Sequence, residues 1–63
     1  MDMNDKIIRM PETMRITTLK RSTIAKLLRN GAFPAPIKLL GHINAWKEKD
    51  IFAWIETQNT AGK

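Results

Sequence analysis

Cysteine is absent from this 63-residue chain. No disulfide framework and no thiolate metal site can brace it, so stability has to come from packing or from a bound partner. Histidine occurs once, at His42, and a zinc site would need further ligands of that kind. No glycine-rich phosphate loop is present, and the 6 acidic residues stand toward the two ends without catalytic spacing. The expectation is a protein that is not an enzyme and uses no cofactor and no metal. Long apolar runs are missing too: nothing approaches the roughly 20 residues of a membrane helix. The opening Met1-Asp2-Met3-Asn4-Asp5-Lys6 lacks the apolar stretch of a secretion signal. An intracellular chain with no membrane partner is expected. A chain this short buries only about 60% of the surface its unfolded form exposes. That leaves room for one small core and no deep substrate pocket.

The most informative shortage is of negative charge in the middle of the chain. The net charge is +5 and the sequence pI about 10.1. Between Glu12 and Glu48 there is no acid, whereas Arg15, Lys20, Arg21, Lys26, Arg29, Lys38 and Lys47 fall in that window. A one-signed centre between mixed ends suits a polyanionic partner. The plain alternative is a solvated basic surface.

The apolar pattern divides the chain. Residues 1–6 read as a flexible leader, 7–58 as one domain and 59–63 as a flexible polar tail. Ile7-Ile8-Arg9-Met10 is short, apolar and extended in expectation. Pro11, which needs no N–H at a helix start, and Glu12, favoured there by the helix dipole, predict a first helix over 11–17. Met14 and either Thr13 or Thr17 would face inward. A tight connection at Thr17-Thr18-Leu19-Lys20 leads to a second helix over 21–30, where Ile24, Leu27 and Leu28 recur at core spacing. Gly31 suits the left-handed position that ends it. Pro34 and Pro36 push Phe33 and Ala35 into extended backbone. Ile37-Lys38-Leu39 and Ile43-Asn44-Ala45 alternate around Leu40-Gly41-His42, which predicts a β-hairpin. A third helix is expected over 47–58, with Ile51, Trp54 and Ile55 inward and Phe52 at the margin.

The predicted fold is therefore mainly α with a two-stranded hairpin: two helices joined by a tight turn, then a wing. That order is a DNA-binding arrangement. On a helical wheel, Ser22, Lys26 and Arg29 fall within an arc of about 60°, opposite Ile24, Leu27 and Leu28. Arginine and lysine can donate to guanine O6 and N7, Ser22 and Thr23 can serve bases or phosphates, and small Ala25 permits close approach. Arg21 is better placed for a phosphate or an edge base. Lys38 and Asn44 share one face of the hairpin, with His42 at its tip, as a wing lying on the backbone or in the minor groove requires. A merely solvated amphipathic helix and hairpin is the alternative for both. Trp46 and Trp54 could stack single-stranded bases, but two tryptophans in so small a domain fit the core better, with Phe33. Met3, Met10 and Met14 read as gap fillers.

These residues also carry a resemblance. Met10-Pro11-Glu12, Leu19-Lys20-Arg21-Ser22-Thr23-Ile24, Gly31-Ala32-Phe33-Pro34-Ala35-Pro36-Ile37-Lys38-Leu39, Ala45-Trp46-Lys47-Glu48 and Ala53-Trp54-Ile55 resemble the AlpA family of prophage regulators and Vis-type excisionases. The resemblance spans roughly residues 7–57 and implies a winged helix-turn-helix of MerR-like form. It implies Arg21, Ser22, Thr23 and Lys26 in the recognition helix, Lys38 and His42 in the wing, and no cofactor. It implies binding to repeats near an attachment site in double-stranded DNA, with an integrase as a further partner and self-association on adjacent sites. The place of action would be the cytoplasm of a bacterium or phage-infected host, at the nucleoid. The leading expectation is a sequence-specific DNA-binding excisionase that bends attachment-site DNA; transcriptional control of integrase or neighbouring genes by the same surface, and a protein–protein adaptor for an integrase, are the alternatives.

The chain departs from the family pattern at five positions. Thr18 stands where glycine is usual, and a β-branched residue suits left-handed backbone poorly, so a different turn is expected. Lys20 replaces a capping serine, removing a side-chain cap that contributes about 1 kcal/mol. His42 replaces an arginine, which weakens the wing's charge. Asn44 replaces an apolar residue, which unsettles the second strand's register. Ala25 replaces a tyrosine.

Overall fold

Three strands and three helices follow in the order β1 (Ile7–Arg9), α1 (Met10–Thr17), α2 (Arg21–Arg29), β2 (Ile37–Leu39), β3 (Ile43–Lys47) and α3 (Glu48–Asn59). The computed structural model describes residues 6–59. Residues 1–5 of the expected leader and 60–63 of the expected tail lie outside that range.

The sheet corrects the sequence reading. It has three antiparallel strands in the order β1-β3-β2, rather than the two of a lone hairpin. β1 adds itself to the far edge of β3, pairing Ile7 with Lys47, Ile8 with Trp46 and Arg9 with Ala45. The domain is accordingly mixed α/β rather than mainly α. The extended reading of this segment holds for 7–9, while Met10 opens α1 instead; three residues are too few to show an alternation that would announce their pairing. That pairing also carries β3 through Trp46 and Lys47, where the sequence pattern ends the strand at Ala45 and begins the helix at Lys47. The Lys6 carbonyl accepts the Glu48 N–H at 2.7 Å, tying the start of α3 to the strand beside it.

The core gathers one buried side chain or more from most elements: Ile8, Ile24, Phe33, Trp46 and Ile51. Met10, Met14, Leu27, Leu28, Trp54 and Ile55 pack around them, partly buried. Phe52, placed by its spacing at the edge of the stripe on α3, stays 49% exposed. Thr13 is the inward hydroxyl of α1, fully buried, whereas Thr17 is half-buried. The Thr13 Oγ1 donates to the Arg9 carbonyl at 3.0 Å, so the burial leaves no orphaned donor. Pro11 sits in the first turn of α1 as expected, one position inside Met10.

Candidate nucleic-acid interface

The two helices α1 and α2 meet through the expected tight connection, residues 18–20, but its conformation departs from expectation. Thr18 adopts the left-handed conformation (φ 63°, ψ 17°) that glycine usually supplies. The expectation of a different turn is thus overturned. Local hydrogen bonds hold the strained residue: its N–H donates to the Met14 carbonyl at 2.7 Å, and the Leu19 N–H donates to Thr17 Oγ1 at 3.3 Å. A left-handed residue with a Cβ costs roughly 1–2 kcal/mol. Lys20 then occupies the N-cap of α2 in extended backbone without any side-chain cap.

α2 presents two faces. Ile24 is fully buried, and Leu27 and Leu28 are half-buried against the core. Ser22, Lys26 and Arg29 are exposed, and steps of four and three residues align them in one stripe. Arg21 and Lys20 are exposed at its beginning, with Thr23 and Ala25 half-buried at its flanks. The first turn of the helix holds no acid. Among the described residues, Lys20, Arg21, Lys26 and Arg29 have no ion-pair partner; Arg15 pairs with Glu12 on α1 instead.

The hairpin meets the start of this helix across a shared cleft. β2 and β3 pair Ile37 with Ala45, Lys38 with Asn44 and Leu39 with Ile43, which settles the register around Asn44. Leu40 (φ 53°) and Gly41 (φ 81°) both take positive φ at the tip, a pattern whose twist matches that of the strands. The His42 N–H donates to the Leu39 carbonyl at 3.1 Å, and its Nδ1–H to the Leu40 carbonyl at 3.0 Å. Lys38 and His42 are exposed. Alternation along β3 puts Asn44 on the same side as Trp46, facing the helices. Its Oδ1 is buried and has no hydrogen-bond partner among the described residues. Such an acceptor costs about 1–3 kcal/mol until a donor reaches it.

What fixes the hairpin relative to α2 is the connection between them. α2 ends in a paired closure: the Gly31 N–H donates to the Leu28 carbonyl and the Ala32 N–H to the Leu27 carbonyl, with Gly31 at φ 70°. Phe33 then wedges edge-on between the two indoles, with ring centroids 5.8 Å from Trp46 and 4.8 Å from Trp54. Trp46 Nε1–H donates to the Pro34 carbonyl at 2.8 Å and Trp54 Nε1–H to the Ala32 carbonyl at 2.9 Å. Both tryptophans therefore serve packing, and each uses its one polar atom to pin the connecting segment.

Arg21, His42 and Asn44 come together at one cleft between the start of α2 and the hairpin. Lys26 and Arg29 lie farther along α2, and Lys38 stands outside the cleft lining. Two residues beyond the sequence reading join the surface. Arg9, at the end of β1, lines the same cleft. Leu40 projects from the hairpin tip, 85% exposed. Arg9 is placed only by the third strand; Leu40 could have been noticed as an apolar residue beside the turn glycine. Among the described residues no three of His, Cys, Asp and Glu gather as metal ligands, and no helix is long and apolar enough to cross a membrane.

Comparison with known proteins places this surface in context. A family model described as prophage CP4-57 regulatory protein (AlpA) matches residues 6–59. The chain is also similar to a protein of Enterobacteria phage P4 described as "Uncharacterized protein ORF88", at 39% identity over 51 residues. The match takes in 81% of this chain but 58% of that relative, so the chain spans little more than half of its length. No solved structure matches.

Proposed function

The chain belongs to the AlpA family of prophage regulatory proteins, and from that premise we propose that it binds double-stranded DNA as a winged helix-turn-helix of MerR-like form. α2 enters the major groove with Ser22, Lys26 and Arg29 toward the bases and Lys20, Arg21 and Thr23 at the backbone, while Lys38, His42 and Asn44 bring the hairpin alongside as the wing. The observation that carries this reading is the stripe of exposed, unpaired cations on α2, free of acids, on a helix whose first residue shares a cleft with the hairpin. Unpaired charge in that arrangement gains most from phosphate contacts that release counterions.

The biological use we propose is excision: several copies occupy neighbouring repeats at an attachment site, bend the DNA and favour the excisive integrase complex. Bending costs on the order of 1–6 kcal/mol, which several phosphate contacts per copy offset. The family description, a regulatory protein, favours a second use of the same surface: transcriptional control of integrase or neighbouring genes. Both place the protein at the nucleoid in the cytoplasm.

The test is duplex binding across a salt series. Lys26→Ala and Arg29→Ala should each weaken binding, and each lost phosphate contact should flatten the plot of log K against log salt by about one unit. A base contact would instead cost about 1–3 kcal/mol of discrimination at one position of the site. Absence of duplex binding at low salt would overturn the reading. Unchanged affinity in both variants would favour an adaptor for an acidic protein partner.

A further inference from the structure

The strongest concentration of unneutralised charge outside the outer stripe of α2 is the cleft between the helix start and the hairpin. It encloses about 340 Å³. Arg9 reaches it from β1, Arg21 from the first residue of α2, and His42 and Asn44 from the hairpin. No acid lines it. Both guanidiniums are exposed, and neither has an ion-pair partner among the described residues. Like charges converging on one recess without a counter-charge repel each other unless an anion sits between them.

The backbone adds to the same field. The N–H groups of Arg21, Ser22 and Thr23 precede the first intrahelical bond of α2, which runs from the Ile24 N–H to the Lys20 carbonyl. Lys20 supplies no side-chain cap, and no acid occupies the first turn. The positive end of the helix dipole is thus unanswered next to two arginines. Asn44 also lines the recess, while its unpartnered Oδ1 is itself buried. A guanidinium offers five donors in a planar fork, so each arginine can grip an anion with two of them.

We propose that this cleft clamps one backbone phosphodiester of the bound duplex between Arg9 and Arg21. The inference rests on the duplex-binding reading above and extends it to Arg9, a residue on neither the recognition helix nor the wing. The clamp ties the first strand, the recognition helix and the hairpin to a single point of the DNA backbone. It fixes the angle at which α2 enters the groove, and it reads no sequence.

Salt-dependent binding of the full chain to an attachment-site repeat and to a duplex of arbitrary sequence tests it. Arg9→Gln should weaken both complexes by a similar factor, about tenfold each, and reduce the salt slope by about one unit. Arg21→Gln should do the same, and the double variant should lose less than the product of the two, because both grip one group. Arg15→Gln, which removes the same charge from α1 where Arg15 pairs with Glu12, should leave the slope unchanged. Phosphate-ethylation interference should show one position whose signal weakens in both Arg9→Gln and Arg21→Gln and is unaltered in Arg15→Gln. Thermal melts of all variants should match the parent, since the Arg9 and Arg21 side chains are exposed.

If Lys26→Ala weakens binding while Arg9→Gln changes neither affinity nor slope, the clamp is overturned and the α2 reading stands. If Arg15→Gln flattens the slope as much as Arg9→Gln, the effect is net charge alone and the clamp again fails. A parent chain that binds no duplex overturns both.

Discussion

The connection around Phe33 and the outer face of α2 are two stretches of the same polypeptide treated in opposite ways. Around Phe33, both indole N–H groups meet carbonyls at ordinary hydrogen-bond distances and the rings pack edge to face. On α2, the cations extend into solvent with no ion-pair partner among the described residues. One region has used its donors within the fold, and the other has kept them. On the proposed function, stability and duplex recognition rest on different side chains, and mutation can separate them.

The largest effect tests the packed side. Trp46→Ala should lower stability by about 3–5 kcal/mol, because it empties the space of a side chain only 1% exposed. A domain of this size has roughly 3–9 kcal/mol to lose, so the variant should be largely unfolded in urea titrations. A sharp, parent-like transition would break the comparison. Trp54→Phe keeps a ring and removes the N–H that reaches Ala32; a loss of about 1–2 kcal/mol is expected, with duplex affinity per folded molecule unchanged.

The next pair sharpens the contrast on the recognition side. Lys20→Ser restores a side-chain cap and should raise stability by about 1 kcal/mol. It also removes an exposed cation, so the same variant should bind duplex more weakly with a flatter salt slope. Opposite signs in one protein are the outcome to look for in paired melting and binding curves. Thr18→Gly gives the smallest effect. It relieves the left-handed strain at φ 63° but loosens the unfolded chain, for a net gain of about 0.5 kcal/mol in thermal melts.

Sequence periodicity was sufficient wherever a segment exceeded one turn or carried its own punctuation. Ile24, Leu27 and Leu28 mark α2, Gly31 marks its end, and Leu40-Gly41-His42 marks the hairpin. It failed where the information lies in a distant partner. Residues 7–9 are extended as expected, but their pairing is legible only through β3, and missing it shortened β3 and hid the place of Arg9. Thr18 was misread for another reason: a preference against left-handed backbone is worth about 1–2 kcal/mol, and the bonds of Thr18 to Met14 and Leu19 to Thr17 offset it. The polar stripe of α2 was visible from helical spacing alone. The cleft was not, because it joins residues 9, 21, 42 and 44 from three separate elements.

The sheet carries one more implication. Its two outer strands, β1 and β2, are each three residues long, and the hairpin side begins just after Pro36. Borders that short offer little backbone for a neighbouring molecule to extend. Copies of this domain could therefore crowd together at high local concentration without zipping into fibrils. Any order among them would have to come from side chains or from the spacing of the sites they occupy.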